Sequence, residues 1–128
     1  MPYGVIPSIR VRDVPRALDF YTNVLGFELL RGGPDEANNS LKRHDSQVMI
    51  EGASAFYSEG YNAAIEGRMG GASPMALYME APDLDELHAR VGAAGATIVD
   101  PLAVRDWGQT EFTVQDPEGN WLTFWKAT

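Results

Sequence analysis

Two stretches of the chain alternate apolar and polar positions and then change to helical spacing, about seventy residues apart. Ile9-Arg10-Val11-Arg12-Asp13-Val14 reads as a strand running into a helix start, and Leu77-Tyr78-Met79-Glu80-Ala81-Pro82-Asp83-Leu84 reads the same way. Asp13 and Asp83 each predict an N-cap, because a carboxylate accepts from the free N–H groups of the first helical turn. Pro15 falls just inside the first helix, where its missing N–H costs nothing. One apolar face carries Val14, Ala17, Leu18, Tyr21, Val24 and Leu25, the other Leu84, Leu87, His88, Val91, Ala94 and Gly95. Gly26 and Gly95 predict left-handed helix ends, followed by strand-like stretches at 27–31 and 96–99.

Residues 40–44 and 47–51 predict a hairpin turning at Asp45-Ser46. Residues 110–115 and 120–126 predict another, through the turn signal Asp116-Pro117-Glu118-Gly119. The order is strand, helix, three strands, and then the same again. Neither half can close a core well alone, so both are expected in one domain over 1–128, with modules at 1–52 and 74–128. The connection at 53–73 is rich in Gly, Ala and Ser, yet carries Phe56, Tyr57 and Tyr61. It reads either as a linker with a short helix over 61–66 or as a lid on a binding site.

Composition narrows the chemistry. At 128 residues, 45% hydrophobic and 22% charged, the chain fits one soluble domain. A formal charge of −8 works against general nucleic-acid binding but concentrates small cations near the surface. Without cysteine there is no disulfide, thiolate catalysis or cysteine metal site. No apolar run approaches the ~18 residues of a membrane span and no signal-peptide pattern opens the chain, so a cytoplasmic protein with no membrane partner is expected. Gly67, Gly70 and Gly71 lack the Lys-Ser/Thr ending of a phosphate loop.

Strand period two assigns faces. Ile9, Val11, Leu77 and Met79 face the helices, as do Val48, Ile50, Phe112, Val114, Leu122 and Phe124. The far face then holds Ile6, Ser8, Arg10, Gln47, Met49 and Glu51 in the first module. In the second it holds Ala76, Tyr78, Glu80, Glu111, Thr113, Trp121, Thr123 and Trp125. Aromatic side chains mixed with carboxylates suit a pocket lining. The same aromatics also suit the interior of a curled sheet or a dimer seam, and both readings stand.

The run Ile9-Arg10-Val11-Arg12-Asp13-Val14-Pro15-Arg16-Ala17-Leu18-Asp19-Phe20-Tyr21, with Val24-Leu25-Gly26-Phe27, resembles the first module of the vicinal oxygen chelate superfamily of glyoxalases, bleomycin-resistance proteins and dioxygenases. Asp106-Trp107-Gly108, Phe112 and Asp116-Pro117-Glu118-Gly119-Asn120 resemble the close of its second module, most like the bleomycin-resistance members. The resemblance implies an α+β fold of paired βαβββ modules, a curled mixed sheet around a cavity with two flanking helices, and a homodimer.

Enzymes of the superfamily hold a divalent metal with His, Glu or Gln on four strands. Carried over, those positions fall on Ile6, Ala76, Thr123 and Glu51, of which Glu51 alone is an effective donor. No metal and no cofactor are expected. His44 reads as a solvated strand end and His88 as a semi-buried helix residue. Glu51 and Glu111 remain open as acid–base groups, as binding groups, or as partners of Arg10 and Arg105.

The expected function is metal-independent binding, by sequestration, of a flat or aromatic small molecule, cationic compounds included. Its candidate residues are Ser8, Gln47, Met49, Glu51, Tyr78, Trp107, Glu111, Thr113, Trp121 and Trp125. The alternative is a lyase, isomerase or dioxygenase with a displaced or non-standard metal site.

Overall fold

Alternation and helical spacing place ten of the eleven elements in two equivalent sets in a computed structural model, which describes residues 4–53 and 57–128. The first set is β1 (Ser8–Arg10), α1 (Val14–Asp19), β2 (Glu28–Arg31), β3 (Asn38–Arg43) and β4 (Ser46–Glu51). Between the sets lies α2 (Glu59–Arg68), longer at both ends than the helix expected there. The second set is β5 (Ala76–Glu80), α3 (Leu84–Ala93), β6 (Thr97–Val104), β7 (Gln109–Gln115) and β8 (Trp121–Ala127). Phe56 of the connection lies outside the described residues.

Each set forms its own mixed four-stranded sheet, ordered β1-β4-β3-β2 and β5-β8-β7-β6. In both, the first strand runs parallel to the last and the other neighbours are antiparallel. Neither sheet closes into a barrel, and the α+β fold of paired βαβββ modules is the one expected. The helix-facing residues of both sheets share one core: Val11, Val48 and Ile50 join Phe112, Leu122 and Phe124, all fully buried. Asp13 caps α1, accepting from the Arg16 N–H at 3.1 Å, and Gly26 and Gly95 end their helices at φ +81° and +70°.

Three local features depart from the sequence reading. The first helix does not stay α-helical to Leu25. Phe20–Val24 form a π-helical turn, with the Leu25 N–H donating to the Phe20 carbonyl at 3.0 Å. Tyr21 is fully buried from this turn, and its hydroxyl donates to Asp116 of the second module at 2.8 Å. Burial, reinforced by the Asp116 charge and hydrogen bond, raises that hydroxyl well above the ordinary tyrosine range.

The second departure is Asp83, which stands at the start of α3 but makes no capping hydrogen bond. Its carboxylate turns to the first module instead, accepting from Arg43 at 2.8 Å and lying 3.3 Å from the His44 imidazole. An ion pair competes with the cap for the same oxygens, and the ion pair wins. Arg43 itself is the third departure: a β3 cation on the core face, only 5% exposed. Its Nε donates to the Leu25 carbonyl at 2.8 Å, and its guanidinium lies 5.7 Å from the Phe124 ring centroid. Glu118 adds a reciprocal link, accepting from the backbone N–H groups of Arg12 at 2.6 Å and Asp13 at 3.0 Å. These contacts tie the modules back to back, through polar groups the helical pattern does not mark.

The Arg43–Asp83 pair has a pH signature. Burial acts to raise the Asp83 pKa, but the Arg43 hydrogen bond and charge outweigh it and leave the carboxyl below its ordinary value. A depressed folded-state pKa gives stability that is fully present above the unfolded value and is lost as pH falls through the folded one. The stability difference between wild type and Arg43→Met should therefore be constant near neutrality and shrink below about pH 4. Urea denaturation at several pH values measures it, and a difference that grows on acidification would contradict the pairing.

Candidate functional site

Strand register sorts the far-face residues into matched rows. In the first sheet Arg10, Glu51 and Asn38 lie side by side on β1, β4 and β3. The equivalent row of the second sheet is Glu80, Trp125 and Glu111 on β5, β8 and β7. Trp125, rather than Thr123, is thus the repeat counterpart of Glu51. One module places a carboxylate where the other places an indole, and an arginine where the other has Glu80.

The carboxylate of the first row is saturated from within. Glu51 is fully buried and accepts from the Ser8 hydroxyl, from Asn38 Nδ2 at 2.9 Å and from the Tyr57 hydroxyl at 2.9 Å. The hydrogen bond to Glu51 holds the Tyr57 hydroxyl above its ordinary pKa, with burial and the carboxylate charge adding to it. Arg10 donates to Asn62 Oδ1 on α2 at 3.1 Å and lies 5.7 Å and 5.9 Å from the ring centroids of Tyr57 and Tyr61. Those two rings stack on each other, centroids 4.2 Å apart. Tyr57, Tyr61 and Asn62 of the connection therefore lie against Arg10 and Glu51 of the first sheet. Met49 sits in the same face, 3.9 Å from Asn38 Nδ2, and Gln47 donates to the Ser40 hydroxyl at 2.9 Å.

The second row is open. Tyr78 and Trp125 lie nearly parallel, 18° between planes and 5.9 Å between centroids, an offset pair giving one flat aromatic surface. Tyr78 is 53% exposed, Trp107 64% and Trp121 43%, so each ring keeps a face available to a ligand. Burial lifts the Tyr78 hydroxyl above its ordinary pKa and the Glu111 charge adds to this, while the nearby Trp107 indole donor pulls the other way. That hydroxyl donates to Gln109. Glu111 is buried, with Arg105 Nε at 3.7 Å as its cation, and that same arginine is shared with Asp100. Thr113 and Thr123 pair at 2.7 Å in the same row as Tyr78. Glu80, which the sequence reading placed on this face but left out of the site, flanks Trp125 on the opposite side from Glu111.

Of the ten candidates, Tyr78, Glu111, Thr113 and Trp125 lie on the second sheet and Trp107 on its β6–β7 turn. Ser8, Met49 and Glu51 belong to the covered first sheet. Gln47 shares with Tyr78 the lining of a hollow of about 530 Å³ between β4 and β5, and Trp121 stands at the far end of the second sheet, its indole donating to Gln115 at 3.1 Å. His88 packs edge-on against Phe112 at 5.0 Å, and His44 is exposed beside Asp83.

A family model described as the Glyoxalase/Bleomycin resistance protein/Dioxygenase superfamily matches residues 5–124. The chain belongs to this superfamily. Among solved structures, TioX from Micromonospora sp. ML1 is 28% identical with a TM-score of 0.75, covering 98% of this chain and 100% of TioX. A glyoxalase/bleomycin resistance protein/dioxygenase from Alicyclobacillus acidocaldarius is 23% identical with a TM-score of 0.67, covering 98% of this chain and 93% of that one. A bleomycin resistance determinant encoded on the transposon Tn5 is 20% identical with a TM-score of 0.69, covering 96% of each chain. The last two share the fold. A search of curated proteins returns no match.

The metal that superfamily enzymes carry does not fit the residues here. Ile6 and Ala76 offer no lone pair, Thr123 is paired with Thr113, and Glu51 is occupied by three donors. Shifting to the register partner replaces Thr123 with Trp125, whose indole is a donor only. Among the described residues no three His, Cys, Asp or Glu side chains come together, and no helix is long and apolar enough to cross a membrane.

Proposed function

We propose that the protein binds a flat aromatic, preferentially cationic small molecule on the open face of the second sheet and acts by sequestering it. The observation that carries this reading is the row Glu80–Trp125–Glu111 with Tyr78 stacked on Trp125: an aromatic floor between two carboxylates. Covering about 100 Å² of apolar ring surface is worth roughly 2.5 kcal/mol, and a cation over an indole adds about 0.5–2 kcal/mol. Glu111 shares its arginine with Asp100, so a ligand cation gains from its charge at low exposure. The transposon-encoded relative is a bleomycin resistance determinant, which supports the same class of function. A second copy of the chain completing the hollow, and residence in the cytoplasm, belong to this proposal.

Titration with a panel of bleomycin-type and planar cationic compounds, followed by tryptophan fluorescence, tests it. Saturable quenching by at least one compound is expected. A flat response across the panel would sink the sequestration reading while leaving the fold untouched.

A further inference from the structure

The connection between the modules does more than cover the first sheet. Its helix α2, the start of β8 and the edges of β1 and β5 enclose a cleft of about 360 Å³, separate from the Tyr78–Trp125 surface. Its lining combines apolar Ile65, Met69, Leu77 and Trp121 with two arginines, Arg10 and Arg68. Arg10 is more than nine-tenths buried at 8% exposure, and its Nε is a buried donor with no acceptor. Its carboxylate neighbour across the strands, Glu51, is held by Ser8, Asn38 and Tyr57 instead. Neither Arg10 nor Arg68 forms an ion pair among the described residues, and the rim carboxylate Glu118 is committed to the Arg12 and Asp13 backbone.

A buried guanidinium without an anion is costly unless something supplies one. In a chain of net charge −8, the buried Arg10 and the exposed Arg68 at one cleft make a local reversal of sign. We propose that this cleft is an anion site taking a carboxylate on a small aromatic or branched apolar body. The carboxylate would reach the guanidinium groups of Arg10 and Arg68, Arg geometry favouring two-point contact with a planar acid. The ring would lie against Ile65, Met69 and Trp121. The site is independent of the second-sheet surface and opposite to it in charge preference.

Calorimetric titration of the full chain with 2-naphthoate and with its neutral amide, 2-naphthamide, at neutral pH tests the proposal. The acid should bind about tenfold or more tightly than the amide, as expected for a charge-assisted pair. Arg68→Ala should weaken the acid by about three- to tenfold and leave the amide unchanged. Ile65→Trp, which fills the cleft, should abolish the preference for the acid and its binding at this site; α2 contributes no buried residue to the core, so this variant keeps its fold. Trp125→Ala should leave naphthoate binding intact, which separates this site from the proposed cation surface. Equal affinity for acid and amide, no binding of either, an acid preference that survives Ile65→Trp, or its loss in Trp125→Ala would each overturn the assignment.

Discussion

Trp125→Ala is expected to weaken binding of a planar cationic ligand by about 30- to 100-fold, roughly 2–3 kcal/mol. Three losses add up. The indole floor disappears, Tyr78 loses the ring that stacks on it at 5.9 Å, and the carboxylates of Glu80 and Glu111 no longer flank an apolar surface. Trp125 is half-buried, and the core beneath β8 is made by Leu122 and Phe124, so the fold should survive. Trp121→Ala supplies the comparison. Trp121 stands four register positions away, beside Gln115, and its loss should cost the same ligand less than about threefold. Fluorescence titration of both variants reads the difference, and equal losses would place the ligand elsewhere.

Arg43→Ala is expected to destabilise the fold by about 3 kcal/mol, lowering the thermal midpoint by roughly 10 °C for a chain of this size. The substitution deletes the hydrogen bond to the Leu25 carbonyl, the ion pair to Asp83 and the contact over Phe124, all between parts of the chain distant in sequence. Leu25 ends the π-helical segment, so a buried carbonyl loses its donor at that point. Arg43→Met keeps the apolar stem and should lose about half as much. Asp83 is 35% exposed and can be rehydrated, and removing Arg43 also removes a buried Nη1 with no acceptor, so the effect stays below that of a fully buried broken pair. Differential scanning calorimetry gives both values. A midpoint unchanged in Arg43→Ala would mean that the modules hold together through their apolar contacts alone.

The repeat, the helix-facing set and the far-face set were all legible in the sequence, because each is a periodicity that a strand or a helix must obey. Val11, Val48, Ile50, Phe112, Val114, Leu122 and Phe124 are fully buried for that reason. What period alone does not carry is register between strands. It takes the pairing of Arg10 with Glu51, and of Glu80 with Trp125, to show that the two modules present opposite chemistry at equivalent places. Polar competition is equally hidden. Asp83 looks like a cap because Asp13 is one, but no local rule says that a strand arginine forty residues earlier will take its carboxylate. Tyr57 and Tyr61 marked the connection as unusual for a solvated linker. Which hollow they cover is a three-dimensional fact, fixed by Glu51 and Arg10. As a result the candidates Ser8 and Glu51 are seen to hydrogen-bond each other inside the chain, and Glu80, outside the candidate set, to stand in register with Trp125.

The central claim is that the second sheet recognises a flat cation through Trp125 between two carboxylates. The most direct measurement is calorimetric titration with N-methylacridinium and with uncharged acridine, at a pH above 7 where acridine carries no proton. The two share a ring system and differ in fixed charge. The cation should bind about tenfold more tightly than the neutral ring, and Glu111→Gln should reduce this preference to about twofold. Equal binding of the two compounds, or a cation preference unchanged in Glu111→Gln, would contradict it.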